Sequence, residues 1–283
     1  MSSNHDWDLI ISPNTKVLDL GLKELWRYRY LLKRFVLRDF KAFYKQTILG
    51  PLWFFVQPIF TTIVYVFVFG GLANLSTDKL PQPLFYLSGI VFWSFFSNCL
   101  TRVSSVFRSE AGIFGKVYFP RLIAPISFLF SNLIRFGVQL ILLAVMTTYF
   151  AVSGGYELTP TWVILLFPVF LLLTALQAAG LGLIISGFTT KYRDLGLFVS
   201  FGVQLLMYST TVIYPLSALD GYARILVALN PMTFILEGVR KGLFGQGTFE
   251  MHHLLYVAFA TALFLFLGLI SFRKVEKTFI DTI

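Results

Sequence analysis

Six long apolar stretches dominate this chain of 283 residues and decide what it can fold into. Each reaches or approaches the ~20 residues that an α-helix needs to cross ~30 Å of hydrocarbon. With 57% hydrophobic and only 13% charged residues, the chain lies outside the range of soluble domains. The sequence therefore predicts an all-α polytopic membrane protein, whose six transmembrane helices lie at about 51–73, 84–104, 122–151, 161–188, 195–214 and 252–272.

A basic leader at 1–50 precedes the six-span domain at 51–283, and the Gly50-Pro51 pair separates the two. At helical period, one stripe of the leader is apolar and comprises Leu22, Leu25, Leu32, Val36, Phe40 and Phe43. A second stripe is basic and comprises Lys23, Arg27, Arg34, Arg38, Lys41 and Lys45, while Arg29 and Lys33 fall near the apolar stripe. The charge density excludes a transmembrane helix, whereas packing on protein stays open. The pattern favours an amphipathic helix on the membrane surface.

Basic residues are distributed unevenly between the two sides of the predicted spans. Eighteen Lys and Arg lie in the leader, the tail and the connections between spans 2 and 3 and spans 4 and 5. Only four lie on the other side, namely Lys79, Arg224, Arg240 and Lys241. Because cytoplasmic loops carry the excess of Lys and Arg, both termini are predicted to be cytoplasmic. These loops and anionic lipid account for the net charge of +9, so no nucleic-acid partner is predicted.

Two cytoplasmic connections contain features that a solvated loop does not need. The connection at 105–121 mixes charges with apolar residues, and apolar residues among charges suit a short helix that docks on a partner protein. Its docking candidates are Arg108, Glu110, Phe114, Lys116, Tyr118 and Arg121. The turn at 191–194 is a second, weaker contact candidate.

The external segment at 215–250 is mostly apolar although it is too divided to span. Pro215, Gly221, the Asn230-Pro231 pair and Gly245-Gln246-Gly247 split it into two short helices. Such helices fit a re-entrant or interfacial position, because irregular backbone at that depth must be covered by protein or water.

No catalytic motif occurs in the sequence, and there is no Walker A motif or metal-binding spacing. The adjacent His252 and His253 are expected at the membrane interface, since neighbours on a helix point ~100° apart. Arg135, with Asn132 and Gln139 on the same face, is the main charge inside a predicted span. Two interpretations stay open for Arg135: a structural hydrogen-bond cluster, or contact with an anionic headgroup in transit.

Four short runs make the sequence similar to a known family. These are Tyr-Lys-Gln-Thr-Ile-Leu-Gly-Pro-Leu-Trp at 44–53 with Gln57-Pro58 after it, Lys-Val-Tyr-Phe-Pro-Arg-Leu at 116–122, Lys-Tyr-Arg-Asp-Leu at 191–195 and Asn-Pro-Met at 230–232. In this order they resemble landmarks of ABC-2-type permeases that export polysaccharides, such as O-antigen, teichoic acid and capsule. The similarity covers nearly the whole chain, and it identifies the family more specifically than the substrate.

The resemblance implies a homodimer in the bacterial inner membrane that works with two copies of a separate ATPase. ATP and Mg²⁺ would bind to that ATPase, and this chain would carry no cofactor or catalytic residue of its own. The docking segment would fall at 108–121, and the substrate would be an undecaprenyl-linked glycan. The first and fifth spans would line the conduit, with candidate aromatic residues Trp53, Phe54, Phe60, Tyr65, Tyr208 and Tyr214.

The residues favour export of O-antigen but leave other functions open. The family also exports teichoic acid, capsule, small lipids and drugs. A membrane enzyme acting on lipid-linked sugars would need a carboxylate near the bilayer surface, and Glu157 and Asp220 are the only weak candidates.

Overall fold

The chain is helical, and the computed structural model describes residues 22–45, 48–192 and 194–279. No β-strand occurs in these ranges, so the predicted all-α class is confirmed. The helices are, in chain order, α1 (Leu22–Arg27), α2 (Arg29–Tyr44), α3 (Trp53–Tyr65), α4 (Gln82–Ser104), α5 (Val106–Ser109), α6 (Ala111–Phe114), α7 (Ile123–Val152), α8 (Phe167–Lys191), α9 (Leu195–Tyr208), α10 (Gly221–Ala228), α11 (Pro231–Phe244) and α12 (Met251–Phe279).

Several helices are extended by irregular turns. A 3₁₀ turn at Gly50–Leu52 precedes α3, and a π-helical turn at Val66–Leu72 follows it, so α3 and its flanking turns cover 23 residues. Pro58 lies inside α3 without ending it. Pro168 occupies the first turn of α8, just after a 3₁₀ turn at Trp162–Leu166. An N–H in the first turn of a helix has no acceptor within the helix, so a proline costs no hydrogen bond there.

Contacts between helix termini define two opposite ends of the molecule. At one end, which we name the leader end, the Thr189 hydroxyl donates to Ser104 O and Arg121 Nη1 donates to Glu276 O at 2.7 Å. The ends of α4, α8 and α12 therefore lie together with the start of α7. At the opposite, distal end, the Tyr65 and Tyr86 ring centroids lie 6.0 Å apart.

Within the described ranges, six helical segments run between these two ends, although α9 is shorter than the predicted fifth span at 195–214. Five of them are long and apolar enough to span a membrane, whereas α9 has 14 residues, about 21 Å of helix. Near its start, Gly196 lies against the Arg108 guanidinium of the leader end, and near its end Met207 Sδ accepts a hydrogen bond from Tyr65 Oη at 3.3 Å. The helix ends at Tyr208, and residues 209–216 continue along the distal end.

Small residues allow α8 to lie between α4 and α12. A Cβ on Gly182 would meet Val103 Cβ of α4 at 2.7 Å, and one on Gly180 would meet the Phe264 carbonyl carbon of α12 at 2.6 Å. Ala178 and Ser186 are fully buried on the same helix, so α8 approaches its neighbour closely at 178, 182 and 186. A second set of small residues, Gly180 and Gly187, lies against α12.

Helices α10 and α11 lie in the segment at 215–250 where the sequence predicts two short helices, and local capping residues set the bounds of α11. The Asn230 side chain accepts a hydrogen bond from Met232 N at 3.1 Å, Pro231 begins α11, and Gly245 ends it with φ of 72°. The axes of α10 and α11 differ by 91°. Both helices lie at the distal end, because Tyr156 Oη donates to Phe244 O at 2.7 Å and α11 packs on α4.

Candidate functional site

Helix α2 packs on α7 by a face that differs from the predicted apolar stripe. Phe35 and Asp39 are the buried centre of this face, with 7% and 4% of their surface exposed. Leu32, Val36 and Phe40 are only partly buried, so the buried face is turned by about a fifth of a turn from the prediction. The leader helix is therefore docked on protein as well as amphipathic, which is the interpretation that the sequence left open.

The opposite face of the leader combines aromatic rings with cations. Trp26 and Tyr30 are 72% and 70% exposed, and Arg27, Arg29, Lys33, Arg34, Lys41 and Lys45 are exposed beside them. Arg29 and Lys33, which fall near the predicted apolar stripe, are both exposed, and the Arg29 guanidinium lies 4.7 Å from the Tyr30 ring centroid. Exposed aromatic rings among cations are typical of helices at a membrane interface. The side chains of Leu22, Lys23 and Phe43 lie outside the described residues.

Arg38 is not part of this exposed basic face, contrary to prediction. Its guanidinium makes two hydrogen bonds to the Glu110 carboxylate, at 2.6 and 2.9 Å, and two to Asp39 Oδ1, at 3.0 and 3.1 Å. Arg102 Nη1 lies 3.3 Å from the other Asp39 oxygen. Hydrogen bonding to Glu110 raises the pKa of Arg38, so the guanidinium stays charged. We name Arg38, Asp39, Arg102 and Glu110 the leader-end network; it joins α2, the end of α4 and the 105–121 connection.

The 105–121 connection folds as a small packed unit that exposes only part of the predicted docking set. Phe114 is 8% exposed and packs between Phe107 and Phe119, at centroid distances of 6.0 and 5.7 Å. Phe114 and Glu110 therefore face the interior, and their prediction as surface contacts is wrong. Arg121 is bound to α12 through Glu276 O. The surface of this unit carries Arg108, Lys116, Val117 and Tyr118, and Tyr118 is 63% exposed.

The turn after α8 contributes to the same end of the molecule. Lys191, Tyr192 and Asp194 are exposed there, and Lys191 Nζ lies 5.3 Å from the Tyr192 ring centroid. Arg193 lies outside the described residues. Together with residues 115–118, this turn places exposed polar and aromatic groups at the leader end.

The predicted conduit aromatics separate into three groups. Tyr65, Tyr208 and Tyr214 come together at the distal end, where Tyr65 bonds Met207 and the Tyr214 hydroxyl donates to Tyr208 O. Trp53 and Phe60 are 48% and 64% exposed on α3. Phe54 is 7% exposed, so a single chain gives it no open surface.

Arg135 lies in a polar cluster that connects three helices. Its guanidinium carbon lies 4.9 Å from the Phe54 ring centroid of α3. Gln139 Oε1 accepts a hydrogen bond from Ser94 of α4 at 2.8 Å, and Asn132 donates to Phe128 O at 2.9 Å. Buried polar groups need such partners, and Asn132 and Gln139 have them.

The most deeply buried ion pair was missed by the sequence analysis, which counted Arg240 among loop charges. Glu237 and Arg240 are 1% and 2% exposed, and Arg240 Nη1 lies 3.6 Å from Glu237 Oε1. Arg240 donates to Thr211 O at 2.6 Å and stacks on Phe85, and Glu237 accepts from Thr248 N at 2.9 Å. A Glu and an Arg at i, i+3 in an apolar helix was the available signal.

Neither end contains a metal site in the described ranges, because no three His, Cys, Asp or Glu residues there are grouped for ligation. Cys99 is buried in α4. The structure therefore combines a packed unit with an exposed surface at the leader end, helices that run between the two ends, and the short helices α10 and α11 at the distal end.

Comparison with known proteins agrees with this arrangement. Residues 30–244 match the ABC-2 type transporter family. The chain is 29% identical to the O-antigen export system permease protein RfbA of Myxococcus xanthus, over 93% of this chain and 98% of that protein. It is 25% identical to RfbA of Klebsiella pneumoniae, over 93% and 99%, and 22% identical to the polysialic acid transport protein KpsM of Escherichia coli, over 87% and 93%. The family resemblance predicted from the sequence is confirmed: the chain belongs to the ABC-2 type transporter family.

Proposed function

We propose that this chain is the permease subunit of an ATP-driven exporter, which moves a lipid-linked polysaccharide, with O-antigen favoured, from the cytoplasm across the bacterial inner membrane. The active unit is a homodimer with two copies of an ATPase that binds ATP and Mg²⁺. Both termini are cytoplasmic, and the substrate is an undecaprenyl-linked glycan.

The observation that carries this proposal is the full-length similarity to permeases named for O-antigen export. Because the alignments cover nearly all of both chains, the whole six-crossing architecture is compared and not one shared segment. The relative named for polysialic acid transport makes a capsule polysaccharide the second candidate.

The geometry of the leader end supports a partner that supplies energy. The exposed residues 115–118 belong to a unit whose buried side packs on α2, α7 and α12, and the leader-end network connects it to α2 and α4. A movement of this surface would therefore be transmitted through packed side chains to the leader helix and to three spans.

A membrane enzyme is less well supported. Glu157 and Asp220 are exposed, and neither has a hydrogen-bond or ion-pair partner within the described ranges. A catalytic carboxylate is normally oriented by neighbouring groups, which these two lack.

The test is a strain without this chain, complemented by the wild-type sequence. We expect lipid-linked glycan to accumulate in the membrane fraction, surface polysaccharide to disappear, and an ATPase to co-purify with the tagged chain. Inactivating the Walker A lysine of that ATPase should reproduce the deletion. Normal surface polysaccharide in the deletion strain would overturn the proposal, and turnover of a lipid-linked sugar by the isolated chain without ATP would favour the enzyme.

A further inference from the structure

A polar cavity of about 420 Å³ lies at the distal end, where α10, α11 and the start of α12 meet. Its volume is within the range of small-ligand sites. The residues that line it include Arg224 of α10, Phe234 and Lys241 of α11, and Glu250, His252 and His253 at the start of α12. No part of the proposed docking surface or of the predicted conduit aromatics contributes to this cavity.

The cavity is electropositive because two of its cations lack acidic partners. Neither Arg224 nor Lys241 has a carboxylate oxygen within 4.0 Å in the part of the chain that the structure describes. Lys241 Nζ donates one hydrogen bond, to Phe249 O at 2.6 Å, which leaves two of its three N–H donors for a ligand. The nearby Glu237 carboxylate is engaged by Arg240 and Thr248.

The single carboxylate that lines the cavity, Glu250, is outnumbered by the cations of Arg224 and Lys241. Glu250 Oε2 lies 3.3 Å from His252 Nδ1, and Glu250 N donates to His253 Nδ1 at 2.9 Å. Since His253 Nδ1 accepts a hydrogen bond, the neutral ring carries its proton on Nε2, which is a further donor. The cavity therefore presents donors and positive charge, and an anion is the complementary ligand.

Flat ring surfaces accompany these charges. The His253 ring lies parallel to Phe234, with centroids 4.0 Å apart and an interplanar angle of 14°. The His252 and His253 centroids are also 4.0 Å apart. Phe234 is only 6% exposed and backs the His253 ring, so the ring surface open to the cavity is that of His252 and His253. Such a surface beside cations suits a ligand that has both an apolar face and an acidic group, which describes a pyranose with a carboxylate or phosphate substituent better than it describes a simple inorganic ion.

We propose that this distal cavity binds an acidic sugar unit, carrying a carboxylate or phosphate group, of the glycan that leaves the transporter. The inference rests on the proposed export function, since only that function brings sugars to this end. Arg224 and Lys241 bind the acidic group, and the His252 and His253 rings, backed by Phe234, support the sugar ring. An anionic phospholipid headgroup offers the same phosphate chemistry, so the experiment must distinguish these two sources.

The experiment measures binding of glucuronate to the full-length chain in nanodiscs of phosphatidylcholine, by saturation-transfer NMR. Arg224→Gln and Lys241→Gln are the test variants, and Lys79→Gln, exposed at the same end but outside the cavity, is the matched control. We expect about a tenfold or greater loss of affinity in each test variant and none in the control, because charge-assisted hydrogen bonds are lost. Arg224 is exposed, so its replacement leaves the fold intact.

Three results would overturn the inference. The first is equal binding of glucose and glucuronate, and the second is glucuronate binding unchanged by Arg224→Gln. The third is loss of glucuronate binding, in the wild type and Lys79→Gln alike, when phosphatidylglycerol is added to the nanodiscs, which would assign the cavity to a lipid headgroup. Neither the ATPase nor transport enters this assay, so its failure is separate from a failure of the export function.

Discussion

Two ion-pair clusters lie at opposite ends of the molecule and differ in which partners are buried. In the leader-end network the side chains of Asp39 and Glu110 are 4% and 7% exposed, while the Arg38 side chain is 39% exposed. In the distal pair both Glu237 and Arg240 are buried. The first cluster joins three elements through cations that water reaches, so water can replace a partner that is lost from one of its ion pairs. The second is enclosed, and the same loss there would leave a charge buried without a partner.

The largest effect is expected from Arg240→Met, which breaks the distal pair without a large change in volume. Glu237 would stay buried without its cation, and the carbonyls of Thr211 and Phe85 would lose a donor. Removing one partner of a buried pair costs about 3–5 kcal/mol. We expect a loss of this size in the free energy of unfolding in detergent, measured by denaturant titration.

A double variant, Arg240→Met with Glu237→Gln, serves as the control for that prediction. It removes both charges and should recover much of the loss. Unchanged stability of the single variant would show that the distal pair tolerates the loss of a partner as the leader-end network does, and the contrast between the two ends would fail.

The next effect concerns Phe114, which packs with Phe107 and Phe119 beneath the exposed docking surface. Phe114→Ala should cost about 3 kcal/mol of unfolding free energy, because a buried ring is lost and a cavity remains. Val117→Ala, in the same unit but 59% exposed, should have little effect. Equal effects of the two variants would contradict the packing of this unit.

A smaller effect is expected from Glu110→Gln, which weakens the bidentate contact with Arg38. Hydrogen bonds to charged groups contribute more than neutral ones, but the exposure of Arg38 reduces the gain to about 1 kcal/mol. Glu24→Gln, an exposed carboxylate in the leader, is the control. A double-mutant cycle with Arg38→Gln should return a coupling energy of the same size. A coupling energy near zero would mean that α2 and the 105–121 connection are not energetically linked.

The sequence predicts those features that depend on neighbouring residues, and it fails where distant residues meet. The spans and the α10–α11 break are fixed by apolar length and by Asn230, Pro231 and Gly245, which act on their own neighbours. The buried face of α2 was misplaced because Asp39 is a polar residue whose partner Arg102 is 63 positions away. Phe114 was assigned to the surface for a similar reason, since apolar residues among charges do not show which of them packs inside.

The burial of the distal pair could not be predicted, for the same physical reason. Glu237 and Arg240 lie on one helix, yet Arg240 is satisfied by Thr211 and Phe85, which belong to other elements. Room for it depends on Gly89 of α4, where a Cβ would approach Arg240 Nη2 to 2.9 Å. Only a folded chain brings these groups together, so residue spacing alone could indicate the pair but not its burial.

The smallest effect on stability is expected from Tyr118→Asp, although its effect on function should be large. Tyr118 is 63% exposed, so the free energy of unfolding should change by no more than about 0.5 kcal/mol. If residues 115–118 dock on an ATPase, a charge in place of the ring should remove co-purified ATPase and substrate-stimulated ATP hydrolysis. The control is Tyr30→Asp, which makes the same substitution on the leader, outside that surface. Tyr30 is 70% exposed, and this variant should keep the ATPase bound.

These two tyrosine variants sharpen the comparison between packing and docking at the leader end. Phe114 and Tyr118 are four residues apart, yet one should change stability and the other association. ATPase bound equally by wild type and folded Tyr118→Asp would exclude 115–118 as the docking surface, and the exposed turn at 191–194 would then be the remaining candidate at this end. Loss of binding in Tyr30→Asp as well would instead indicate that the leader and the 105–121 connection form one continuous contact, joined through Arg38 and Glu110.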